Sequence, residues 1–118
     1  FPLTASASGK LILAHLSETH LNQVLSKVRW EKYGQGTITD PNILKKQLKD
    51  VTKNNVSIER DELGDGYASI AVPIFRDEQL VYTISVVSTT QLINDSYDAL
   101  IQELRDIQET IHKLAEFQ

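Results

Sequence analysis

Small and hydroxyl-bearing residues carry the chemistry that this sequence offers most clearly. The run Ala5-Ser6-Ala7-Ser8-Gly9 precedes an apolar stretch, where Ser6 or Ser8 is suited to cap a helix. The first backbone amides of a helix are free donors at the positive end of its dipole, so those of Ala7 and Ser8 could bind an anion. Small residues also let a helix pack tightly on a sheet, and the sequence leaves both interpretations open.

Two predicted strands add further hydroxyl groups. In the strand that begins at Tyr67, the side chains of Tyr67, Ser69 and Ala71 share one face. Ser85 lies on the next strand, residues 80–87, which a short turn makes antiparallel to the first. A face of small, partly polar residues suits the wall of a small-molecule pocket, and it equally fits an interior strand whose hydroxyls bond locally. We expect the anion site to be reached also by Ser69 and Ser85.

Carboxylates are present, but without the partners of a catalytic or metal site. No histidine, lysine or serine lies at a spacing from Glu59, Asp61 or Glu62 that is typical of a general base and nucleophile pair. No two of the three histidines have the one-turn spacing of a helical metal site. The sequence also contains no phosphate-binding loop and no dinucleotide fingerprint. We therefore predict a protein that is not an enzyme and uses neither a metal nor a cofactor.

Length and composition predict one globular domain. The chain has 118 residues, a formal net charge of -4 and no cysteine. The lack of cysteine excludes a disulfide framework and fits the cytoplasm, and no apolar run approaches the roughly 18 residues of a membrane span. The acidic balance argues against DNA binding by this chain itself. Because the chain begins at Phe1 and contains no methionine, we interpret it as a fragment of a longer polypeptide.

Local signals predict three helices ahead of an antiparallel sheet, an α+β fold. The second helix follows Ser17, and the third follows Thr39-Asp40-Pro41 and closes at Asn54-Asn55. The segment from Ser57 to Pro73 is typical of a hairpin, with a short strand, an acidic glycine-containing turn and an apolar strand.

The last predicted helix runs from Asp95 to Phe117 and has an apolar seam with alternating three- and four-residue steps. The seam residues are Tyr97, Leu100, Leu104, Ile107, Ile111 and Leu114. Because Ile101 widens the seam beyond a coiled-coil stripe, we expect it to pack across the sheet.

In their order and spacing, these segments resemble the C-terminal effector-binding domain of the IclR family of bacterial transcriptional regulators. The matching segments are Gly9-Lys10 with Leu13-Ala14, Thr37 to Pro41, Val56 to Glu62, Gly66 to Pro73, Ile84-Ser85-Val86 and the closing helix. No single motif is specific, but their order is, and it covers nearly the whole chain.

The resemblance implies a GAF-like fold that binds a small organic acid between the sheet and the start of the small-residue helix. The ligand-binding positions that it implies are Ala7, Ser8, Glu59, Tyr67, Ser69 and Ser85. Ala7 and Ser8 would supply backbone donors, Glu59 an acidic group, and the other three the pocket wall. The sequence departs from the family pattern at Thr4, Glu59, Ser69 and Val87, where histidine, aspartate, cysteine and serine are common. These departures leave the effector unidentified.

Two kinds of function fit these observations. The first is a sensing domain that controls DNA binding by an N-terminal winged helix-turn-helix domain absent from this chain. The second is a GAF-like regulatory or interaction domain without a ligand. The resemblance also implies a homodimer or tetramer. We expect the interface at an unpaired sheet edge or the loop around Trp30 and Tyr33, because the seam is needed to cover the sheet.

Overall fold

The computed structural model describes residues 2–116, which form five helices and a three-stranded sheet. In chain order the elements are α1 (Ala7–Ala14), α2 (Glu18–Leu25), α3 (Pro41–Asn54), β1 (Ser57–Arg60), β2 (Tyr67–Arg76), β3 (Gln79–Thr89), α4 (Thr90–Asp95) and α5 (Tyr97–Glu116). The sheet is antiparallel with the order β1-β2-β3, so the α+β fold class is as predicted.

The first three helices begin where the local signals predict, and α3 also ends where they predict. Ser6, rather than Ser8, caps α1, and Ser17 caps α2, each with a side-chain oxygen that accepts from an early amide. Asp40 does the same for α3, and Asn55 ends that helix in the left-handed conformation, at φ 52°.

The strand β2 lies in the centre of the sheet and continues through Pro73. Because β1 pairs only with residues 68–71 of β2, the missing N–H of Pro73 removes no ladder bond to β1. The Pro73 carbonyl oxygen accepts a 2.6 Å hydrogen bond from Gln108 Nε2 on α5. Pairing with β3 continues past Pro73 as far as Arg76 and Gln79, so β2 runs beyond its predicted end to Arg76 and β3 is longer than the predicted residues 80–87.

Helices pack on both faces of the sheet, and they bury the central strand more than β3. On one face, α1 and α3 pack over β2 through a cluster of Ala7, Leu11, Val51 and Ala71. On the other face, α4 and α5 pack over a cluster of Ala68, Ile70, Val72, Ile93 and Leu104. Most of β2 is therefore buried, whereas β3 is half-buried or exposed along its whole length.

The predicted helix from Asp95 to Phe117 is interrupted near its start. Ser96 has a non-helical conformation, with φ -114° and ψ 18°, and it separates the short helix α4 from α5. Phe117 lies outside the described residues.

The seam of α5 packs on the sheet only in its first half. Tyr97, Leu100 and Leu104 contact the sheet cluster, but the side chains of Ile107 and Leu114 are 46% and 62% exposed. In the second half, polar residues face the rest of the domain instead. Arg105 donates to the carbonyls at the end of α3, Gln108 donates to Pro73, and His112 Nε2 accepts from the Phe75 amide. The prediction that the whole seam covers the sheet was wrong for this half.

Trp30 belongs to a loop that we expect at an interface, but its side chain is only partly exposed. It is half-buried and packs against the cluster of Leu13, Leu25, Leu44 and Leu48 that joins α1, α2 and α3. Tyr33 is 42% exposed, so it is the aromatic residue of this loop that faces the surface.

Candidate ligand site

One face of the sheet brings together the predicted site residues of all three strands. The register pairs Glu59 with Ser69 and Ser69 with Val87, and it pairs Ala71 with Ser85. Directly opposed residues of antiparallel strands point to the same side. Glu59, Ser69 and Ser85 therefore lie on one face, which also carries Tyr67. The alternation along β2 predicts this for Tyr67 and Ser69.

The start of α1 lies on this face. The Ala7 amide donates a long hydrogen bond of 3.4 Å to Ser69 Oγ, and Ala7 packs in the cluster with Ala71. A Cβ at Gly9 would lie 2.2 Å from the carbonyl oxygen of Leu3, so only glycine fits there. The small-residue run thus serves tight packing, and it also leaves the first turn of α1 close to the hydroxyls of the sheet.

Three of the six predicted residues form an inner group: Ala7, Glu59 and Ser69. Their exposures are 0%, 1% and 2%. Ser69 Oγ accepts from the Ala7 amide and donates to Glu59 Oε1 at 2.9 Å, while Glu59 Oε2 accepts from the Glu62 amide at 3.2 Å. The hydroxyl of Ser69 therefore has both a donor and an acceptor partner inside the domain.

The other three predicted residues form an outer group: Ser8, Tyr67 and Ser85. Ser8 is half-buried, Tyr67 is 58% exposed and Ser85 is exposed. Within residues 2–116, none of their three hydroxyls has a hydrogen-bond partner. The structure thus keeps the six residues on one side of the sheet but divides them into a satisfied interior and an open rim.

Two residues that the sequence analysis missed support the inner group. Lys10 is 0% exposed, and its Nζ lies 2.6 Å and 2.5 Å from the two carboxylate oxygens of Glu62, which is 4% exposed. The helical spacing contained the signal, because Lys10 lies one turn after Ala7 and beside Leu11, both on the buried side of α1. A lysine on such a side needs a buried acidic partner.

Burial governs the electrostatics of this ion pair. It lowers the pKa of Lys10 even though the carboxylate of Glu62 acts in the opposite direction. It raises the pKa of Glu62 against the effect of the Lys10 ammonium, and the nearby Glu59 adds to that increase. The cluster holds two carboxylates and one ammonium group, so the interior of the site carries no excess positive charge.

The acidic turn between β1 and β2 is fixed from several sides. Asp61 has a left-handed backbone, at φ 58°, and its Oδ1 accepts from the Gly66 amide and from Thr90 Oγ1, each at 2.8 Å. Thr37 Oγ1 donates to the carbonyl oxygen of Glu62 at 2.6 Å. The turn therefore connects β1, β2, α4 and the loop before α3.

The chemistry available on this face is that of binding. Amide and hydroxyl groups can donate hydrogen bonds to an acid, and the exposed methyl groups of Val87 offer an apolar contact beside them. Among the residues that the structure describes, no group of three or more acidic or histidine side chains could hold a metal ion. None of the helices within residues 2–116 is long and apolar enough to cross a membrane.

A family model and individual relatives both match this chain and agree on its family. Residues 1–113 match the family model described as "Bacterial transcriptional regulator IclR C-terminal". The HTH-type transcriptional regulator BhcR of Paracoccus denitrificans is 31% identical over 111 residues, which are 89% of this chain and 40% of BhcR. The chain therefore spans less than half the length of this relative.

Solved structures match over the same extent. An IclR homolog from Microbacterium hydrocarbonoxydans, complexed with 4-hydroxybenzoate, is 27% identical with a TM-score of 0.87, over 96% of this chain and 45% of that one. A transcriptional regulator from Rhodococcus sp. RHA1 is 25% identical with a TM-score of 0.89, over 100% of this chain and 50% of that one.

Proposed function

Because this chain belongs to the IclR C-terminal family of bacterial transcriptional regulators, we propose that it senses a small organic acid and controls DNA binding by a separate N-terminal winged helix-turn-helix domain. The observation that carries this function is the meeting of the first turn of α1 with a hydroxyl-bearing sheet face, half of whose predicted site residues are open to solvent. The related Microbacterium protein with bound 4-hydroxybenzoate, a small acid, supports the same ligand class.

In this proposal the outer group contacts the ligand. The amide of Ser8 and the hydroxyls of Ser8 and Ser85 would donate to the carboxylate, and Tyr67 would line the wall. The inner group would form the floor, with Ser69 held in place by Glu59 and by the Ala7 amide. Neutral donors would bind the acid, since the nearest buried cation, Lys10, is paired with Glu62.

The proposal assigns DNA binding to another part of the protein and catalysis to none. The chain has a net charge of -4, and nonspecific DNA affinity comes from basic groups that neutralise phosphates. It would be one effector-binding domain of a longer protein, acting in the cytoplasm without enzymatic activity. A gel shift with this chain alone at physiological salt should show no binding to duplex DNA. Micromolar affinity would contradict the assignment of DNA binding to another part of the protein.

The proposal also includes a dimer or tetramer, which the family resemblance implies. A ligand affects DNA binding only if its affinity differs between two arrangements of the whole protein, and an oligomer can supply such arrangements. The outer edge of β3 has no partner strand within residues 2–116, and Val81, Tyr82 and Val87 beside it are 44%, 72% and 59% exposed. We place the interface on this edge or on the loop around Tyr33.

Sedimentation tests this placement. Self-association is expected at high micromolar concentration, and a monomer there would contradict it. The substitution Ile107→Lys on the exposed half of the α5 seam should leave association intact. A folded monomer from that variant would show that the seam, not the sheet edge, is the interface.

The alternative is a GAF-like regulatory or interaction domain without a ligand. The buried state of Ala7, Glu59 and Ser69 favours it, since these three residues satisfy one another without a bound molecule. Native mass spectrometry of the purified chain separates the two functions. A co-purified small acid supports sensing. Its absence, together with no thermal stabilisation by a panel of small carboxylates, supports the alternative.

A further inference from the structure

Four of the buried polar residues, together with the Ala7 amide, form a closed ring of contacts. From the Ala7 amide the ring passes to Ser69 Oγ, to Glu59, to the Glu62 amide, and from the Glu62 carboxylate to Lys10. Lys10 and Ala7 belong to the same first turns of α1, so the helix itself closes the ring. A ring of this kind fixes the start of α1 relative to β1 and β2, because no member can shift without breaking a buried contact.

Glu62 is the junction of the ring. Its side chain binds Lys10 on α1, its amide donates to Glu59 on β1, and its carbonyl accepts from Thr37 in the loop before α3. Three elements that are far apart in the sequence therefore meet at one residue. The Lys10 and Glu62 pair lies 52 residues apart along the chain.

We propose that Lys10 and Glu62 are positioning residues of the ligand site, which hold the first turn of α1 against Ser69 and Glu59 without touching the ligand. The pair is bidentate and buried, whereas the ligand-facing rim is exposed at Tyr67 and Ser85 and half-buried at Ser8, so the pair itself is closed to a ligand that enters from solvent. The inference rests on the proposed function for what binds there, but the positioning itself exists without a ligand and is tested without one.

The alternative role for such a pair is stability alone. In that case its loss would accelerate exchange only through global unfolding, and the well-protected amides of the central strand would be affected at least as much as those of Ala7 and Glu62. Positioning predicts a local effect, in which the Ala7 and Glu62 amides lose protection that the central strand keeps.

The test is amide hydrogen exchange of the full chain without ligand, for wild type and Lys10→Met. Exchange at Ala7 and Glu62 should accelerate at least about tenfold more than at Ile70 and Val72 of β2. The matched control is Lys113→Met, which removes the exposed ion pair of Lys113 with Glu109 on α5 and should leave all four amides unchanged. Equal acceleration of the four amides in Lys10→Met, or no change at Ala7, would overturn the proposal.

A second variant keeps the test decisive if Lys10→Met does not fold. The double variant Lys10→Met with Glu62→Leu replaces the pair by apolar side chains of similar size, a change that buried ion pairs often tolerate. It keeps the backbone groups of Glu62 and opens the ring at the same place. The same local acceleration at Ala7 is expected, and wild-type protection there would overturn the proposal. Because no ligand is involved, a negative ligand panel would count against the proposed function and not against this result.

Discussion

The inner and outer groups of the site lie on the same face of one sheet but differ in what satisfies them. Ala7, Glu59 and Ser69 are fully buried and bond to one another, whereas Tyr67 and Ser85 are exposed and Ser8 is half-buried. α1 packs on β2 and contacts both neighbouring strands, but Ser85 and Val87 on β3 remain exposed. One alternating pattern of side chains can therefore supply both a structural floor and a binding rim, according to which of its residues a helix covers.

The largest expected effect is at the ion pair beneath the inner group. Replacing Lys10 with Ala leaves the Glu62 carboxylate buried and unpaired, which costs about 3–5 kcal/mol of unfolding free energy. The matched change Lys113→Ala removes an exposed pair on α5 and should cost less than about 1 kcal/mol. Urea denaturation measures both. Similar losses for the two variants would show that the interior does not depend on Lys10.

A smaller loss is expected for the hydroxyl of Ser69. The substitution Ser69→Ala leaves Glu59 Oε1 and the Ala7 amide without a partner, at a cost of about 1–3 kcal/mol. Ser57 is a matched control, because it lies on the same face, is 0% exposed and has no hydrogen-bond partner for its hydroxyl within residues 2–116. Ser57→Ala should therefore be neutral or slightly stabilising. If the two substitutions lowered the unfolding free energy equally, the hydrogen bonds of Ser69 would make no net contribution to stability.

The ion pair should cause a still smaller change of the unfolding free energy with pH. Burial and the attraction between Lys10 and Glu62 shift the pKa of each group in opposite directions, so their effects partly cancel. Glu62 has a raised pKa, so its contribution is complete below the ordinary value of 4.5 and is lost as pH rises through its folded value. Lys10 has a lowered pKa, so its contribution is complete above 10.5 and is lost as pH falls through its folded value. The stability of wild type relative to Lys10→Met with Glu62→Leu should therefore be lowest between the two folded values.

Denaturant unfolding of the two proteins across this pH range measures that difference, and the other carboxylates cancel in the comparison. A maximum in the middle of the range would mean that the attraction between Lys10 and Glu62 outweighs their burial.

The smallest effect on stability is expected at the rim. Ser85→Ala removes an exposed hydroxyl and should change the unfolding free energy by no more than about 0.5 kcal/mol. A loss above about 1 kcal/mol, measured by the same urea titration, would assign Ser85 to the inner group.

The features that could be predicted from the sequence are those that depend on near neighbours. The caps at Ser17 and Asp40, the left-handed end at Asn55 and the alternation along β2 each follow from a few adjacent residues. The shared face of Glu59, Ser69 and Ser85 follows from alternation once the register is known.

The features that were missed depend on distant parts of the chain. Whether Ser69 and Ser85 are buried is decided by the path of α1, which the pattern of β2 and β3 does not contain. The partner of Lys10 lies on a turn far along the chain, and the exposed second half of the α5 seam results from polar contacts of Arg105 and Gln108 with other elements. In each case the local pattern gives the orientation of a side chain but not what covers it.

The measurement that tests ligand sensing most directly is a thermal shift of the chain with a panel of small carboxylates that includes 4-hydroxybenzoate, for wild type and Ser8→Trp. Ser8 lies at the rim, so the bulky side chain should block the site and leave the fold intact. We predict that at least one acid raises the wild-type melting temperature and that Ser8→Trp, with an unchanged melting temperature of its own, loses this response. An equal response in the variant would place the site elsewhere, and no response to any acid in wild type would contradict the sensing function.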